Sequence, residues 1–208
     1  MKIQTLETAG IPSALHAMRN PMDSWDKTDS TFTSCPYMSK TDFAVGKADK
    51  ELSMKLQHAG PEHCKHLRMV MVWANITAPR YWWTEFDTYR IGVEKVSCST
   101  MHKLMSRELT MDDFAFDDKE NGVAKAIVDS LNTMMFIYKD LVDPDSKKEV
   151  WRLIIQCLPQ AYIQKRTVMM SYAALRNIYH QREGHKLKEW QAFREWVESL
   201  PESWMITE

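Results

Sequence analysis

The chain has 208 residues, with 27 basic and 28 acidic side chains and a formal net charge of −1. That balance excludes a general electrostatic attraction to nucleic acid or to an anionic membrane, although local basic pockets remain compatible with it. Hydrophobic residues make up 44% of the sequence and charged residues 26%, so we expect one folded domain over residues 1–208. No apolar run has the length of a bilayer span and residues 1–10 lack an apolar signal core, so we expect a cytoplasmic protein with neither a membrane nor a nucleic-acid partner.

The cysteines are scattered, and no two of them form a C-x-x-C pair. They are Cys35, Cys64, Cys98 and Cys157. This spacing indicates free thiols in a reducing compartment and gives no zinc signature. His63, Cys64 and His66 form a small cluster, but zinc needs a fuller ligand set, so we interpret the cluster as a polar loop and predict no metal.

In the first half of the chain, the elements begin with a long irregular segment over residues 20–43, rich in Asp, Ser, Thr and Pro. We expect its aromatic residues to pack against the rest of the protein. They are Trp25, Phe32, Tyr37 and Phe43. Apolar residues at helical spacing then predict a helix over 46–59, and alternating apolar residues predict a strand over 67–77. A short helix over 80–90 and an extended stretch over 93–101 follow.

The second half of the chain is predicted to be helical. Asp117 with Glu120 fits a capping box before a long apolar stripe that ends at residue 141. Ser146 with Glu149 suggests a second cap before a helix over 150–157. Further helices are predicted over 167–181 and 187–200. The predicted fold class is therefore α+β with helices dominating.

Two groups of residues have the order and spacing of one family's motifs. In the first group, Pro79 stands eleven residues before the end of Thr88-Tyr89-Arg90, Ile91-Gly92 follows, and Lys103-Leu104 comes at the matching distance. In the second, Leu158-Pro159 is followed by Ser171 twelve residues after the proline, and by Arg182 eleven residues later. These spacings resemble the flavin-dependent thymidylate synthase family, and Ala17-Met18-Arg19 is similar to an Ala-Ala-Arg stretch of that family. The resemblance implies a helix-rich fold with a small antiparallel sheet, and a homotetramer with sites at subunit junctions.

The family's signature residues are mostly different in this chain. In the signature Arg-His-Arg-x-x-Ser-x-Asn-x-x-Ser-x-Arg-Tyr, only the third position matches, as Arg90. The differing positions are Thr88, Tyr89, Val93, Lys95, Cys98, Thr100 and Met101. Three arginines of the family are missing, because these positions hold Thr88, Thr100 and Ile155 in this chain. Each charged hydrogen bond contributes about 1.5–3 kcal/mol, so tight binding of the family's anionic substrate would need replacement contacts. The candidate replacements are Arg19, Lys95 and Arg166.

The resemblance also implies a set of site residues. Arg182 corresponds to an arginine that holds the pyrimidine and is the candidate catalytic residue, and Arg90 corresponds to one at the flavin and nucleotide site. The candidate cofactor-binding residues are Arg90, Tyr89 and Lys95. The candidate substrate-binding residues are Arg90, Arg182, Ser171, Cys98 and Ser99. Because the family's flavin-binding His and Asn are Tyr89 and Lys95 here, we predict that FAD binds weakly or not at all. Either arginine has the alternative interpretation of a helix cap.

Two further features have both a functional and a structural interpretation. Cys98 stands at a family serine position, but a nucleophilic thiol needs a nearby base or cation, so a structural role is favoured. An aromatic cluster on the helix after Pro79 would suit stacking on a flavin or a base, although packing in the core or at a subunit interface is favoured. The cluster consists of Tyr81, Trp82, Trp83 and Phe86.

Three functions are compatible with these residues. The first is a divergent thymidylate synthase-like protein that binds a nucleotide or related anionic small molecule, with altered or lost methyl-transfer activity. The second is a genuine FAD-dependent thymidylate synthase that converts dUMP to dTMP. The third is a non-catalytic ligand-sequestering or assembly protein. We favour the first because catalysis requires all of its groups in register, whereas binding tolerates losses.

Overall fold

The computed structural model describes residues 1–34 and 41–208, so the predictions for Cys35 and Tyr37 lie outside the described residues. Its strands are β1 (Lys2–Ala9), β2 (Thr31–Ser34), β3 (Thr41–Ala44), β4 (Met71–Pro79), β5 (Val93–Ser97) and β6 (Ile163–Ser171). One antiparallel sheet has the strand order β1-β4-β6-β5, and β2 pairs with β3 in a separate antiparallel ribbon. The predicted α+β class with a small antiparallel sheet is confirmed.

Helices make up about half of the described chain. They are α1 (Ile11–Ala17), α2 (Lys47–Ala59), α3 (Arg80–Phe86), α4 (Thr100–Lys103), α5 (Gly122–Asp140), α6 (Pro144–Cys157), α7 (Tyr172–Gln181), α8 (Lys188–Glu198) and α9 (Trp204–Thr207). Short 3-10 helices cover Asn20–Met22, Trp25–Lys27, Lys65–Arg68, Leu104–Ser106 and Met111–Asp113. None of the described helices combines the length and the apolarity that a bilayer crossing requires.

The chain divides into two compact units, and all but one of the divisions fall inside strands, namely β1, β4, β5 and β6. Unit 1 consists of Met1–Lys2, Ile76–Thr88 and Val96–Thr167. Unit 2 consists of Ile3–Asn75, Tyr89–Lys95 and Val168–Glu208. The expectation of one domain stays a prediction.

Unit 1 has a core built from the apolar stripe of α5. Its buried side chains Val128, Leu131 and Met135 pack with Ile154 of α6 and with Phe114. The aromatic residues of α3 are also buried, with Trp82, Trp83 and Phe86 at most 1% exposed and their rings in mutual contact. These three rings are therefore core residues, as the structural interpretation of the cluster favours.

Unit 2 has a core formed by β4, α7 and α8. Val70 and Val72 are fully buried, as are Leu175 and Ile178 of α7, and the main-chain N–H of Tyr172 donates to the carbonyl of Val70 at 2.9 Å. This packing fixes which face of α7 points inward, and it leaves the opposite face of the helix for other contacts.

A buried ion pair joins Arg19, just after α1, to Asp49 in the first turn of α2. Arg19 Nε donates to Asp49 Oδ1 at 2.6 Å, and Asp49 is fully buried while Arg19 is 5% exposed. The hydroxyls of Thr28 and Ser30 both donate to the other carboxylate oxygen at 2.5 Å. Burial by itself raises the pKa of Asp49, but the hydrogen bonds from Ser30, Thr28 and Arg19 together hold the pKa below its ordinary value.

Several predicted boundaries in the first half of the chain are wrong. The segment 20–43 is not wholly irregular, since it contains two 3-10 turns and the β2–β3 ribbon. The strand predicted over 67–77 begins at Met71, because residues 65–68 form a 3-10 turn. The helix predicted over 80–90 ends at Phe86, and the extended stretch over 93–101 ends at Ser97.

In the second half, the main error concerns β6. The stretch 167–181 was predicted as one helix, but β6 runs to Ser171 and α7 begins only at Tyr172. The predicted caps at Asp117 and Ser146 are also displaced, since Asn121 caps α5 and Asp143 caps α6 through its side chain. Strand β1 carried no prediction. The helices predicted over 46–59 and 187–200 are confirmed within two residues at each end.

Candidate functional site

The junction between β6 and α7 brings two main-chain segments unusually close together. The main-chain N–H of Ser171 donates to the carbonyl of Gly92 at 2.9 Å. The hydroxyl of Ser171 accepts a hydrogen bond from the N–H of Ala174 at 3.2 Å, which makes it the N-cap of α7. A Cβ at Gly92, whose φ is 71°, would lie 2.5 Å from the Ser171 hydroxyl oxygen. The close approach therefore needs glycine at position 92.

Beside this junction, unit 2 contains a cavity of about 690 Å³. Its apolar walls include Leu67, Met71 and Ile91, and the exposed side of α7 contributes Ala173 and Ala174. The volume lies within the range of about 300–1,000 Å³ that small-molecule sites have. Of the residues that the structure describes along its lining, none is Asp or Glu.

The polar lining of the cavity is cationic or neutral. Arg68 and Arg176 supply guanidinium groups, and His180 follows Arg176 by one helical turn. Burial lowers the pKa of His180 and the charge of Arg176 lowers it further, whereas the main chain of Ile206 and the charge of Glu183 oppose these effects. The lowered pKa favours the neutral imidazole, so the positive charge of the cavity resides mainly on the two arginines. Amides of Gln57, Asn177 and Gln181 complete the polar lining.

The thiol of Cys64 also lines the cavity but is not activated. Burial raises the pKa of Cys64, and the charges of Arg176 and Arg68 act in the opposite direction without reversing the shift. The S–H group donates to the carbonyl of Gly60 at 3.3 Å. Because the thiolate is the reactive form, these features indicate a structural cysteine.

Arg182 and Tyr89 lie together elsewhere in unit 2. Arg182 is the C-cap residue of α7, and its Nε donates to the Tyr89 hydroxyl at 2.8 Å. Its guanidinium carbon lies 4.4 Å from the ring centre of Trp190. Among the predicted site residues, Ser171 is the one found in the described lining of the cavity, which does not include Arg182 or Tyr89.

The remaining predicted site residues are dispersed. Arg90 is exposed in the turn before β5, and Lys95 is half-buried on β5 in unit 2. In unit 1, Cys98 is exposed and its main-chain N–H donates to the carbonyl of Lys165, while Ser99 caps α4 by accepting from the N–H of His102 at 3.3 Å. Ser99 thus has a local structural role.

Two of the candidate replacement cations are committed to other contacts. Arg19 is held in the buried pair with Asp49. Arg166 donates to both carboxylate oxygens of Asp87, at 2.9 and 3.1 Å, and its guanidinium carbon lies 4.2 Å from the ring centre of Trp83. Neither arginine therefore presents a free guanidinium group to a ligand.

Arg68, Arg176 and His180 were not among the site residues predicted from the sequence. A signal for two of them was present, because Arg176 and His180 recur at helical spacing on the face of α7 opposite the buried Leu175 and Ile178. Arg68 had no such signal, since it lies in a 3-10 turn within the stretch predicted as a strand.

Among residues 1–34 and 41–208, no group of three or more His, Cys, Asp or Glu side chains is placed to hold a metal ion. The three described cysteines, Cys64, Cys98 and Cys157, are free thiols.

The fold and the cavity define a helix-rich α+β protein with a site of small-molecule size in unit 2. No model of a known protein family matches the chain, and no curated protein sequence matches it. Among solved structures, the chain is similar to the flavin-dependent thymidylate synthase ThyX from Helicobacter pylori in complex with FAD and dUMP. That match has a TM-score of 0.76 and 17% sequence identity over 100% of this chain and 98% of the other. A second structure of the same protein with FAD and dUMP matches with a TM-score of 0.74 at the same identity and coverage. The chain therefore has the fold of the flavin-dependent thymidylate synthases, as the sequence spacings predict.

Proposed function

We propose that the cavity of unit 2 binds a nucleotide or a related anionic small molecule, and that methyl-transfer activity is altered or lost. The observation that carries the proposal is the lining of the cavity, which contains Arg68 and Arg176 and, among the residues described, no carboxylate. A desolvated phosphate needs guanidinium or amide donors, and a nearby carboxylate would repel it.

The other lining groups suit the remainder of a nucleotide. Leu67, Met71 and Ile91 offer apolar surface for a planar ring, and the amides of Asn177 and Gln181 can both donate to and accept from a heterocycle. The similar structures from Helicobacter pylori contain FAD and dUMP, so these two compounds are the first ligands to test.

Altered activity is supported by the positions that differ from the family signature. The hydroxyl of Thr88 donates to the carbonyl of Glu85 at 2.7 Å, and Val93 is an apolar side chain only 5% exposed. Tyr89 accepts a hydrogen bond from Arg182. The resemblance implies an arginine at position 88, a histidine at position 89 and a serine hydroxyl at position 93, and none of these three side chains supplies the implied group. Turnover is more sensitive than binding to such losses.

Arg90 and Arg182 are not among the described residues that line the cavity, and we propose separate roles for them. Arg90 is exposed, so a ligand can reach it without any rearrangement of the protein. Arg182 is half-buried, and its contacts with Tyr89 and Trp190 orient its guanidinium group. We propose that a phosphate-bearing ligand contacts Arg90 and that Arg182 contributes mainly through its packing.

We also propose that the protein assembles as a homotetramer. Several large apolar side chains are exposed, including Phe136 at 72%, Val142 at 92% and Val96 at 75%, which is typical of surfaces that a partner covers. Light scattering at micromolar protein concentration should give a mass close to four chains. A monomeric mass would contradict the assembly and any site that depends on it.

Calorimetry with uridine, thymidine and adenosine nucleotides and with FAD tests the binding proposal. We expect at least one of these ligands to bind, and we expect the wild-type gene not to rescue growth of a thymidine auxotroph. Rescue would show that the protein is a genuine thymidylate synthase. Failure of every ligand to bind would favour a structural or assembly role instead.

A further inference from the structure

The side chain of Arg176 is tied to the C-terminal segment Trp204–Glu208. Its Nη1 group donates to the carbonyl of Ile206 at 3.2 Å and also to the main-chain oxygen of Glu208. Met205 and Ile206 are fully buried, so this segment is anchored by its own side chains. The carbonyl oxygen of Ile206 therefore belongs to a fixed part of the fold, and Glu208 follows it by two residues.

These two hydrogen bonds leave one edge of the guanidinium group with its donors unused. A guanidinium group has five N–H bonds, and Nη1 accounts for the two that point to Ile206 and Glu208. No residue in 1–34 or 41–208 accepts a hydrogen bond from Nε or Nη2 of Arg176. Those two groups form the planar fork that binds a phosphate or carboxylate through two parallel hydrogen bonds.

The surroundings of Arg176 favour an anion at this fork. Arg68 lines the same cavity, and both arginines act electrostatically on the Cys64 thiol, so their positive fields overlap. Two carboxylates act electrostatically on lining residues, Glu62 on Cys64 and Glu183 on His180, and each lies beside another basic side chain. Glu62 lies 3.6 Å from His63 Nε2, and Glu183 lies 3.6 Å from Arg194 Nη2.

We infer that Arg176 recognises a phosphate group through its Nε–Nη2 edge, and that the main-chain oxygens of Ile206 and Glu208 hold the side chain in position for this contact. The inference rests on the proposed nucleotide-binding function and adds the residue and the ligand group. It also assigns a role to the C-terminal segment, which acts on the ligand through Arg176 and does not contact it. Because Nη1 of Arg176 is already hydrogen-bonded, the side chain loses less conformational freedom when a phosphate binds to Nε and Nη2.

The test compares wild-type protein with Arg176→Lys, which keeps the charge but cannot form the fork. The control is Arg152→Lys, at an exposed position on α6 in unit 1. Calorimetry uses three probes: dUMP, deoxyuridine and inorganic pyrophosphate. We expect Arg176→Lys to weaken binding of dUMP and of pyrophosphate about tenfold, and to change deoxyuridine binding little. The control variant should bind all three probes as the wild type does.

A second measurement uses only the wild-type protein, so its result does not depend on whether the variant folds correctly. The Nε–H signal of Arg176 in a ¹H–¹⁵N spectrum should move when pyrophosphate is added, because the phosphate accepts from that N–H group. A purely structural arginine, bonded only to the C-terminal segment, would show no such shift.

The outcomes separate this inference from the proposed function. Unchanged dUMP and pyrophosphate affinity in Arg176→Lys, or an unmoved Nε–H signal at saturation, overturns the inference and leaves nucleotide binding intact. If wild-type protein binds pyrophosphate through Arg176 but binds no nucleotide, the proposed function fails and the inference stands. If neither pyrophosphate nor any nucleotide binds, both are overturned.

Discussion

The close approach of Gly92 to the N-cap of α7 leads to a quantitative prediction for Gly92→Ala. The added Cβ meets two separate problems. First, φ at position 92 is 71°, in the left-handed region that disfavours an L side chain. Second, the Cβ would lie 2.5 Å from the hydroxyl oxygen of Ser171, although its distances to the Ser171 and Ala174 Cβ atoms, 3.5 and 3.6 Å, are ordinary contacts.

The expected loss of stability is the sum of these two effects. The left-handed backbone costs alanine about 1–2 kcal/mol. Relief of the short contact requires the Ser171 hydroxyl to leave the N–H of Ala174, which removes a helix cap contributing about 1 kcal/mol. Gly92→Ala should therefore lower the free energy of unfolding by about 2–3 kcal/mol.

A matched control and a double-mutant cycle separate the two effects. Gly184 also has a left-handed φ, 65°, but a Cβ there has no atom of another residue within 4 Å among those described, so Gly184→Ala should cost only about 1–2 kcal/mol. Ser171→Ala should cost about 1 kcal/mol by loss of the cap. The double variant Gly92→Ala/Ser171→Ala should be no less stable than Gly92→Ala alone, which corresponds to a coupling of about 1 kcal/mol.

Urea unfolding followed by far-ultraviolet circular dichroism measures all four variants against the wild type. Equal losses for Gly92→Ala and Gly184→Ala would show that the contact with Ser171 has no energetic effect. Strict additivity of the Gly92 and Ser171 substitutions would lead to the same conclusion. Because both residues line the cavity, Gly92→Ala should also weaken ligand binding, whereas Gly184→Ala should not.

Three further predictions follow from the same structure. Asp49→Asn should lower the free energy of unfolding by about 3–5 kcal/mol, because it leaves a buried arginine without its counter-charge, and urea unfolding measures the loss. In wild-type protein the pKa of Asp49 is held below its ordinary value of 3.8. The ionised carboxylate therefore makes its full contribution to the free energy of unfolding above pH 3.8, and this contribution is lost as the pH falls through the lower pKa of the folded state. As the pH falls below 5, the urea midpoint of Asp49→Asn should therefore fall less steeply than that of the wild-type protein. Parallel pH profiles of the two proteins would contradict a lowered pKa of Asp49. Arg182→Ala should lower the free energy of unfolding by about 1–2 kcal/mol through the lost contacts with Trp190 and Tyr89. Arg90→Ala should leave the thermal midpoint nearly unchanged. A larger fall of the midpoint in Arg90→Ala than in Arg182→Ala, measured by calorimetric melting, would contradict the packing role of Arg182. Purified protein should show little or no flavin absorbance, and a stoichiometric yellow protein would refute the prediction of weak FAD binding.

The sequence alone was sufficient for elements that depend on local signals. Helix α2 was predictable from apolar residues at helical spacing and from the Gly60-Pro61 stop, and α5 from its long apolar stripe. Strand β6 was not predictable in this way. It lies in the sheet between β4 and β5, which are distant from it in the sequence, and its residues Val168 and Met170 are buried. The Met- and Leu-containing stretch that continues into α7 has a helical composition.

The fold of the flavin-dependent thymidylate synthases was also predictable from the sequence. The family's spacings are present at Pro79, Arg90, Leu158-Pro159 and Arg182, even though the side chains between them differ. The roles of individual arginines were not readable. Arg176 and Arg182 stand six residues apart and are chemically identical in the sequence. Their different surroundings arise from the packing of α7, which turns Arg176 toward the cavity and the C-terminal segment and places Arg182 against Trp190. Spacing along a chain specifies which residues share a helix, but the contacts that decide between binding and packing come from segments far away in the sequence, and these are brought together only when the core forms.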